Sequence, residues 1–568
     1  MEENKNQQQY FQMMGNATLF IIPFHYGEEN ENQSLFEGQQ NFIVHEGDDS
    51  VWTLETQMLT DEKEGSVIYP YIMSFLQGQM MDEGNDVEGR LVIYSIADID
   101  RRTNQESKFE QRTIIKKFWN KFSQSTHTVD VGTKDTPRIL SFRFFNGKHK
   151  TLKPHLFIFP SARIGLLSFG IELTTPDATT DDLKNLNYSL HKIAKPIAKC
   201  VCNGLNITGD VDSEQRKFKE AAFNSARSFI EPHYLNKKDL SRNDNQDVME
   251  FTWSMKTLID TLLKDIRGIV YIDNKNDKKE TPIELFTPPR IHIFTYCGID
   301  DSENKLAQSN ILPELYRLSR CVNDKYLLPF ENTNFHESYF QTFENVYVSS
   351  TIEGTAFIAL SKEQNAKFFE GFTGILALRY VWIYLLAMIQ RYSLLNIDMM
   401  LTKLEADDAK DKNEHNNTSL EESNEKVKRH SAMLWRLLES IRNIKVRCHF
   451  TDISPFTQHN EFYEHCCDRL HVNIAYDEID HKTKALSLTM GHDLQLLQEA
   501  NDKEIKTRED RMNLFLAIFA VLQGISVLYE LFDALLFKSD WKAVGLYSVL
   551  ILVSVFIVYH LYKKHHVE

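Results

Sequence analysis

Four polar residues, Gln523, Ser526, Glu530 and Asp533, interrupt an otherwise apolar stretch, LQGISVLYELFDALLF, at residues 522–537. An ionisable side chain in an apolar helix is costly unless it faces a partner or a hydrated path. The chemistry on offer is therefore the attraction and hydration of cations rather than bond-making. On a helix, Asn513, Ala517, Ala520, Gln523, Val527, Glu530 and Ala534 recur at steps of three and four and share a face, with Ser526 and Asp533 bordering it. Small and polar residues in one stripe suit a pore lined by several copies around an axis, with Glu530 and Asp533 as an acidic ring near the outer mouth. The plainer alternative places both acids at the lipid interface.

Such a stripe must be held by a membrane segment, and the C-terminal sequence has two. Residues 513–537 and 543–562 are each long enough to cross a hydrocarbon core of about 30 Å. Only KSDWK separates them, which predicts an antiparallel helical hairpin. Lys503, Lys506, Arg508 and Arg511 precede the first span and Lys563 and Lys564 follow the second, against Lys538 and Lys542 at the tip, so both ends are predicted to be cytosolic. Upstream, Ile479, Leu486, Met490, Leu494 and Leu497 mark a long helix that runs as a stalk into the first span. Leu434, Leu437, Leu438, Ile441 and Ile444 mark a second helix, predicted to pack antiparallel to it. Residues 405–428 are charged and nearly free of apolar groups, reading as a mobile linker or frayed helix tip. Residues 368–395 approach membrane length, but Arg379 in their middle predicts a buried core helix of the cytosolic part instead.

The rest of the chain reads as soluble. It has 568 residues and a net charge of -16, which argues against direct nucleic-acid binding, and MEENKNQQQYFQ carries no apolar leader. Residues 1–360 are predicted to be an α/β domain, with strand-like segments such as ATLFIIPFHY, HLFIFP, IGLLSFGIEL and RIHIFTY. Helical patterns lie at 108–123, 181–197 and 247–266, and a break near 271–282 divides two lobes. The expected architecture is thus an α/β domain, helices and stalk over 361–512, and a transmembrane hairpin over 513–568 with a basic tail. No phosphate loop, dinucleotide fingerprint, HExxH motif or nucleophile elbow is present, so no catalytic residue is assigned. The seven cysteines read as reduced thiols. Cys467 and His471, four apart on a predicted helix near His459, His465 and Cys466, give the sharpest metal-ligand spacing; the ordinary alternative is buried thiols and solvated histidines.

A cytosolic α/β domain, a helical stalk and a two-helix hairpin with a basic tail together resemble the CorA family of divalent-cation channels, mainly over residues 365–568. The family's Gly-Met-Asn signature is absent; Tyr529, Glu530 and Leu531 stand near its position, so its selectivity filter is not carried over. FPSARIGLLSFGIEL, SSTIEG around Glu353 and Gly354, YLLAMIQRYSLL and QHNEFYEH are similar to the CorA-like membrane effectors associated with type III CRISPR systems. That resemblance implies a bacterial inner-membrane protein whose cytosolic domain senses a nucleotide second messenger, a conjugate of S-adenosylmethionine and AMP in some members, and whose pore opens or disrupts the membrane in antiviral defence. A nucleotide needs cations for phosphate and flat surfaces for its base. Arg163, beside Gly165, then Arg290 after two prolines, and Tyr316, Arg317 and Arg320 are the candidates. The basic helix with Lys116, Lys117, Trp119 and Lys121 reads as a solvated face. The competing classes are a constitutive magnesium or cobalt transporter, with a divalent cation as cargo, and a membrane-anchored enzyme or scaffold.

One hairpin supplies one lining helix, so the detergent-solubilised protein is expected to be a symmetric homo-oligomer, a pentamer by the resemblance. Mass measurement checks this, and a stable monomer excludes the pore.

Overall fold

Strand-rich segments from both sides of residues 271–282 pair into one sheet. The computed structural model describes residues 11–26, 52–54, 68–72, 91–96, 122–203, 248–326, 339–361, 376–414, 434–533 and isolated positions from 545 to 556, several of these stretches with interruptions. The chain divides into two units, Met1–Ala406 with Trp435–Lys482, and Asp407–Leu434 with Thr483–Glu568. The first is mixed α/β.

Its sheet of 14 strands is built around β1 (Met13–Tyr26). The chain then gives β2 (Trp52–Leu54), β3 (Val92–Ile96), β4 (Thr126–Asp130), β5 (Ile139–Phe144), β6 (His155–Phe159), β7 (Ile164–Leu173), helix α1 (Thr180–Leu190), β8 (Ile197–Asn203), β9 (Val248–Ser254) and α2 (Met255–Lys264). A separate two-strand pair, β10 (Tyr271–Ile272) and β11 (Lys278–Lys279), is followed by β12 (Ile283–Leu285), β13 (His292–Asp300), α3 (Gln308–Arg320), β14 (Tyr339–Phe343), β15 (Val346–Ser350) and β16 (Gly354–Ser361). The main order is β14-β15-β16-β13-β1-β7-β5-β4-β8-β9. Strand β7 serves two branches: residues 164–168 pair with β6, which leads to β3 and β2, while 171–173 pair with β5. Parallel pairing occurs between β13 and β16.

Alternation along the strands sends side chains into two layers. From β1, Phe20, Ile22 and Phe24 join a core with Leu183, Leu186 and Leu190 of α1, Leu258 and Leu262 of α2, and Ile311, Leu315 and Leu318 of α3. The other face meets helices from later in the chain. After a π-helical turn, Leu376–Tyr380, helix α4 (Val381–Glu414) is buried at every position from Val381 to Gln390. Its Trp382 packs on Phe157 and its Tyr384 on Phe294, while Phe462 of α5 (Thr457–Arg469) packs on Phe357. A helix apolar on all sides thus lies in a protein interior, with Arg379 at its margin.

Several boundaries differ from expectation. Residues 248–254, inside the helical pattern 247–266, form β9, because VMEFTWS pairs along its length with β8. Helix α1 ends at Leu190, short of 197, and the basic segment with Lys116, Lys117, Trp119 and Lys121 lies outside the described residues. Helix α4 continues through 405–414 of the predicted linker. Helix α6 (Val472–Asp533) is continuous through Gly491 and the first apolar segment to Asp533. Among the described residues no helix is long and apolar enough to cross a membrane. The link 538–542 lies outside the described residues, and the segment 543–562 is described at isolated positions.

Four of the histidines buried among the described residues of the first unit are held as neutral rings. His127 accepts the Trp253 indole N–H on Nδ1 at 3.1 Å, and its Nε2 lies 2.9 Å from the Phe122 carbonyl. An indole only donates, which fixes the Nε2–H tautomer. Burial lowers His127, His191, His292 and His459 from 6.5 to about 4. A depressed pKa means that the stability from these rings is complete above pH 6.5 and is lost as pH falls toward 4. Denaturation followed against pH is expected to steepen in that window, and His127→Gln is expected to remove about one proton from the uptake on unfolding.

Candidate functional site

The start of α1 is set by a capping box: the Thr179 hydroxyl accepts from Asp182 N, and the Asp182 carboxylate accepts from Thr179 N at 3.1 Å. Arg138 grips the same carboxylate through two bonds of 2.9 and 2.7 Å. The cap fixes the direction of Lys184, whose side chain is fully buried between α1 and α3. Its Nζ lies 2.7 Å from Glu314, 2.8 Å from Asp324 and 3.8 Å from Asp181. Arg317 completes the group, 3.2 Å from Glu314 and 3.4 Å from Asp324.

Three carboxylates against two cations leave one negative charge in excess, and the proton favours Asp181. Burial raises Asp181 to about 6, with Lys184 opposing and the Asp324 charge adding to the rise. Burial also pushes Asp324 upward, but the hydrogen bond and charge of Lys184, with Arg317, outweigh it and hold this carboxyl below its ordinary value. The difference follows from geometry, since Asp324 sits against two cations and Asp181 against one at longer range.

The candidate ligand residues fall into three places. Arg317 is committed to Glu314 and Asp324 inside the charge cluster. Arg320 pairs with Glu353 at 3.3 Å and donates to the Tyr316 hydroxyl at 3.1 Å. Arg290 is exposed and forms an antiparallel bridge with Lys192 just before β13. The buried Cys321 thiol at the end of α3 shows how these groups gather: burial pushes it up, Arg290 and Lys192 oppose the rise and Glu353 adds to it. Arg163 belongs to another element, the β6–β7 turn, in a left-handed conformation with φ 52°. Its carbonyl accepts from Tyr26 N, and the neighbouring Ala162 carbonyl accepts from Asn396 of α4 at 2.7 Å. The close approach at Gly165 is made by Phe24, whose ring carbon would lie 2.2 Å from an added Cβ.

Two aromatic and two cationic residues beside Arg290 escaped sequence reasoning. Lys192 Nζ stands 3.6 Å from the Tyr188 ring centroid, the Tyr188 and Tyr326 hydroxyls are 3.3 Å apart, and Lys325 directly precedes Tyr326 in the chain. The readable signal was the spacing of Tyr188 and Lys192, four apart at a helix end.

Cys467 and His471 do not share a helix. Helix α5 ends at Arg469 and His471 takes φ 55° in the turn before α6, so the side chains lose their i,i+4 alignment. Burial pushes the Cys467 thiol up to about 12, and its hydrogen goes to Gln390. His459 is buried against Ser454 rather than solvated. Among the described residues no cluster of histidine, cysteine or carboxylate groups is arranged to hold a metal ion. Asn513, Ala517, Ala520, Gln523, Ser526, Val527, Glu530 and Asp533 all lie on α6. Asn513 and Ser526 are exposed, Ala517 and Val527 half-buried, and the side chains of the other four lie outside the described set. No family model, no curated protein and no solved structure matches the chain.

Removing the cation from the buried cluster strands its carboxylates, so Lys184→Met is expected to cost about 3–5 kcal/mol of stability in chemical denaturation. The raised pKa of Asp181 has the opposite sign from the histidines. Its stabilising contribution is complete below the ordinary value of 3.8 and lost as pH rises through about 6. Asp181→Asn, always neutral, is therefore expected to raise the melting temperature at pH 7, with the gain vanishing below about pH 4.

Proposed function

We propose that the protein is a membrane effector in which an α/β domain senses a nucleotide second messenger and a C-terminal helical hairpin, assembled as a homo-oligomer, forms the pore. The observation that carries this reading is apolar exposure. Leu514, Phe515 and Leu516 follow one another on α6 and are 63, 69 and 49% exposed. Val549, Leu552, Val553 and Phe556, from the second apolar segment, are exposed as well. Three successive apolar residues spread over more than half of a helix's circumference, and lipid together with further copies of the chain would cover such a surface.

In this reading Asn513, Ala517, Ala520, Gln523, Ser526, Val527, Glu530 and Asp533 line the path, and Glu530 with Asp533 concentrates cations at its mouth. The messenger class comes from the resemblance to the CRISPR-associated CorA-like effectors, with the conjugate of S-adenosylmethionine and AMP as first choice. The helix α6 supports a connection between sensing and pore, since it begins in the α/β unit and runs through the first apolar segment.

Liposomes carrying the full-length protein test the proposal. Addition of the conjugate is expected to release sodium and magnesium ahead of chloride. Glu530→Gln with Asp533→Asn is expected to reduce that preference with assembly intact, and Gln523→Leu to cut the flux of every ion by dewetting the path. Magnesium flux that needs no nucleotide would favour the transporter, and the absence of any flux would leave the hairpin as an anchor.

A further inference from the structure

Several described cations of the first unit are matched by carboxylates. Arg138 pairs with Asp182, Arg143 with Glu172, Lys184 and Arg317 with the buried acids, and Arg320 with Glu353. Lys192, Arg290 and Lys325 differ. Among the described residues none of them is paired with a carboxylate, although the chain carries a net charge of -16. Lys192 and Arg290 are also held opposite each other by their backbone bridge, and like charges facing across such a pair repel. Fixed, uncompensated cations in an acidic protein are a charge arrangement that a bound anion relieves.

Their surroundings narrow the class of anion. Tyr188 and Tyr326 meet through their hydroxyls, with ring centroids 5.9 Å apart and planes inclined at 64°. Lys192 covers the Tyr188 ring, whereas Tyr326 is 47% exposed and keeps a flat surface open to solvent. Hydrogen bonds from Lys192 and Tyr326 pull the Tyr188 phenol below its ordinary pKa, with the charges of Lys192 and Lys325 acting the same way; the bond to Tyr188 raises the Tyr326 phenol, and the charge of Arg290 opposes that rise. All three cations thus reach one tyrosine pair.

We infer that Lys192, Arg290 and Lys325, with Tyr188 and Tyr326, form a binding site for a nucleotide, the cations taking its phosphate and the Tyr326 ring its base. This rests on the nucleotide-sensing reading above and places the phosphate away from Arg317 and Arg320, whose charges are spent on Glu314, Asp324 and Glu353. A phosphate among cations accepts several charge-assisted hydrogen bonds, and an exposed tyrosine ring supplies an apolar face at small entropic cost.

The test is calorimetry on the full-length, detergent-solubilised protein, with AMP, inorganic pyrophosphate and adenosine as probes. AMP is expected to bind more tightly than adenosine. Lys192→Gln and Arg290→Gln are each expected to weaken AMP and pyrophosphate on the order of tenfold. Lys325→Gln, on an exposed turn, gives a variant with little risk to folding and is expected to weaken both as well. Tyr326→Ala is expected to weaken AMP while sparing pyrophosphate, and Arg143→Gln to change neither. Undiminished AMP binding in the three cation variants, or failure of the wild type to bind AMP and pyrophosphate at millimolar concentration, overturns the site. AMP binding lost in the variants, together with liposomes that never respond to the conjugate, overturns the effector and leaves the site standing. Conjugate-triggered flux that survives in the variants does the reverse.

Discussion

Strand β1 is buried on both faces along most of its length, and this condition governs the architecture of the first unit. A strand so placed presents apolar side chains alternately up and down, and each set needs its own cover. The upper set is covered by α1, α2 and α3, which the chain supplies between its strands. The other face of the sheet is covered by α4 and α5, far downstream, through contacts such as Phe157 of β6 with Trp382 and Phe357 of β16 with Phe462. Polar bonds fix the docking: Asn396 reaches the Ala162 carbonyl, Gln390 donates to the Tyr463 hydroxyl, and the His292 ring meets the Tyr392 hydroxyl. The α/β domain is therefore incomplete without helices that follow its last strand.

The same packing decides what charge can do. Lys184 is driven into the α1–α3 contact because Leu183, Leu186 and Leu190 hold that side of α1 against the sheet. Once buried, an ammonium group must be matched, and Glu314 and Asp324 match it. Their demand draws in Arg317, so a residue that looks from the sequence like a phosphate ligand is used for internal neutralisation. Just past the end of α1, beyond the apolar contact, Lys192 meets Arg290 instead of an acid. Two lysines eight residues apart thus have opposite surroundings, one saturated with carboxylates and one facing another cation.

Much of the strand content was legible because alternating β-branched and aromatic runs have few other stable conformations. The burial of residues 381–390, within the apolar stretch 368–395, was legible too, from one arginine that membrane insertion would penalise. The boundaries around 191–197 and 247–254 were not. The segment VMEFTWS runs without a break into the helix Met255–Lys264, and its pairing with β8 along its length makes it a strand. Nor could the sequence separate Cys467 from His471, since the left-handed turn between α5 and α6 depends on how both helices dock.

By itself the sequence determined the apolar C-terminal segments, the polar stripe from Asn513 to Asp533 and the mixed α/β character of the first unit, all of which follow from hydrophobicity and its period along the chain. The tertiary structure alone decided which cations are spent and which are left over. Arg317, Arg320 and Arg290 are equivalent as letters, but Arg320 is paired with Glu353, 33 positions away, Arg317 is held by acids gathered around the buried Lys184, and Arg290 faces Lys192. Charge compensation is a property of distance in space, and spacing along the chain carries little of it.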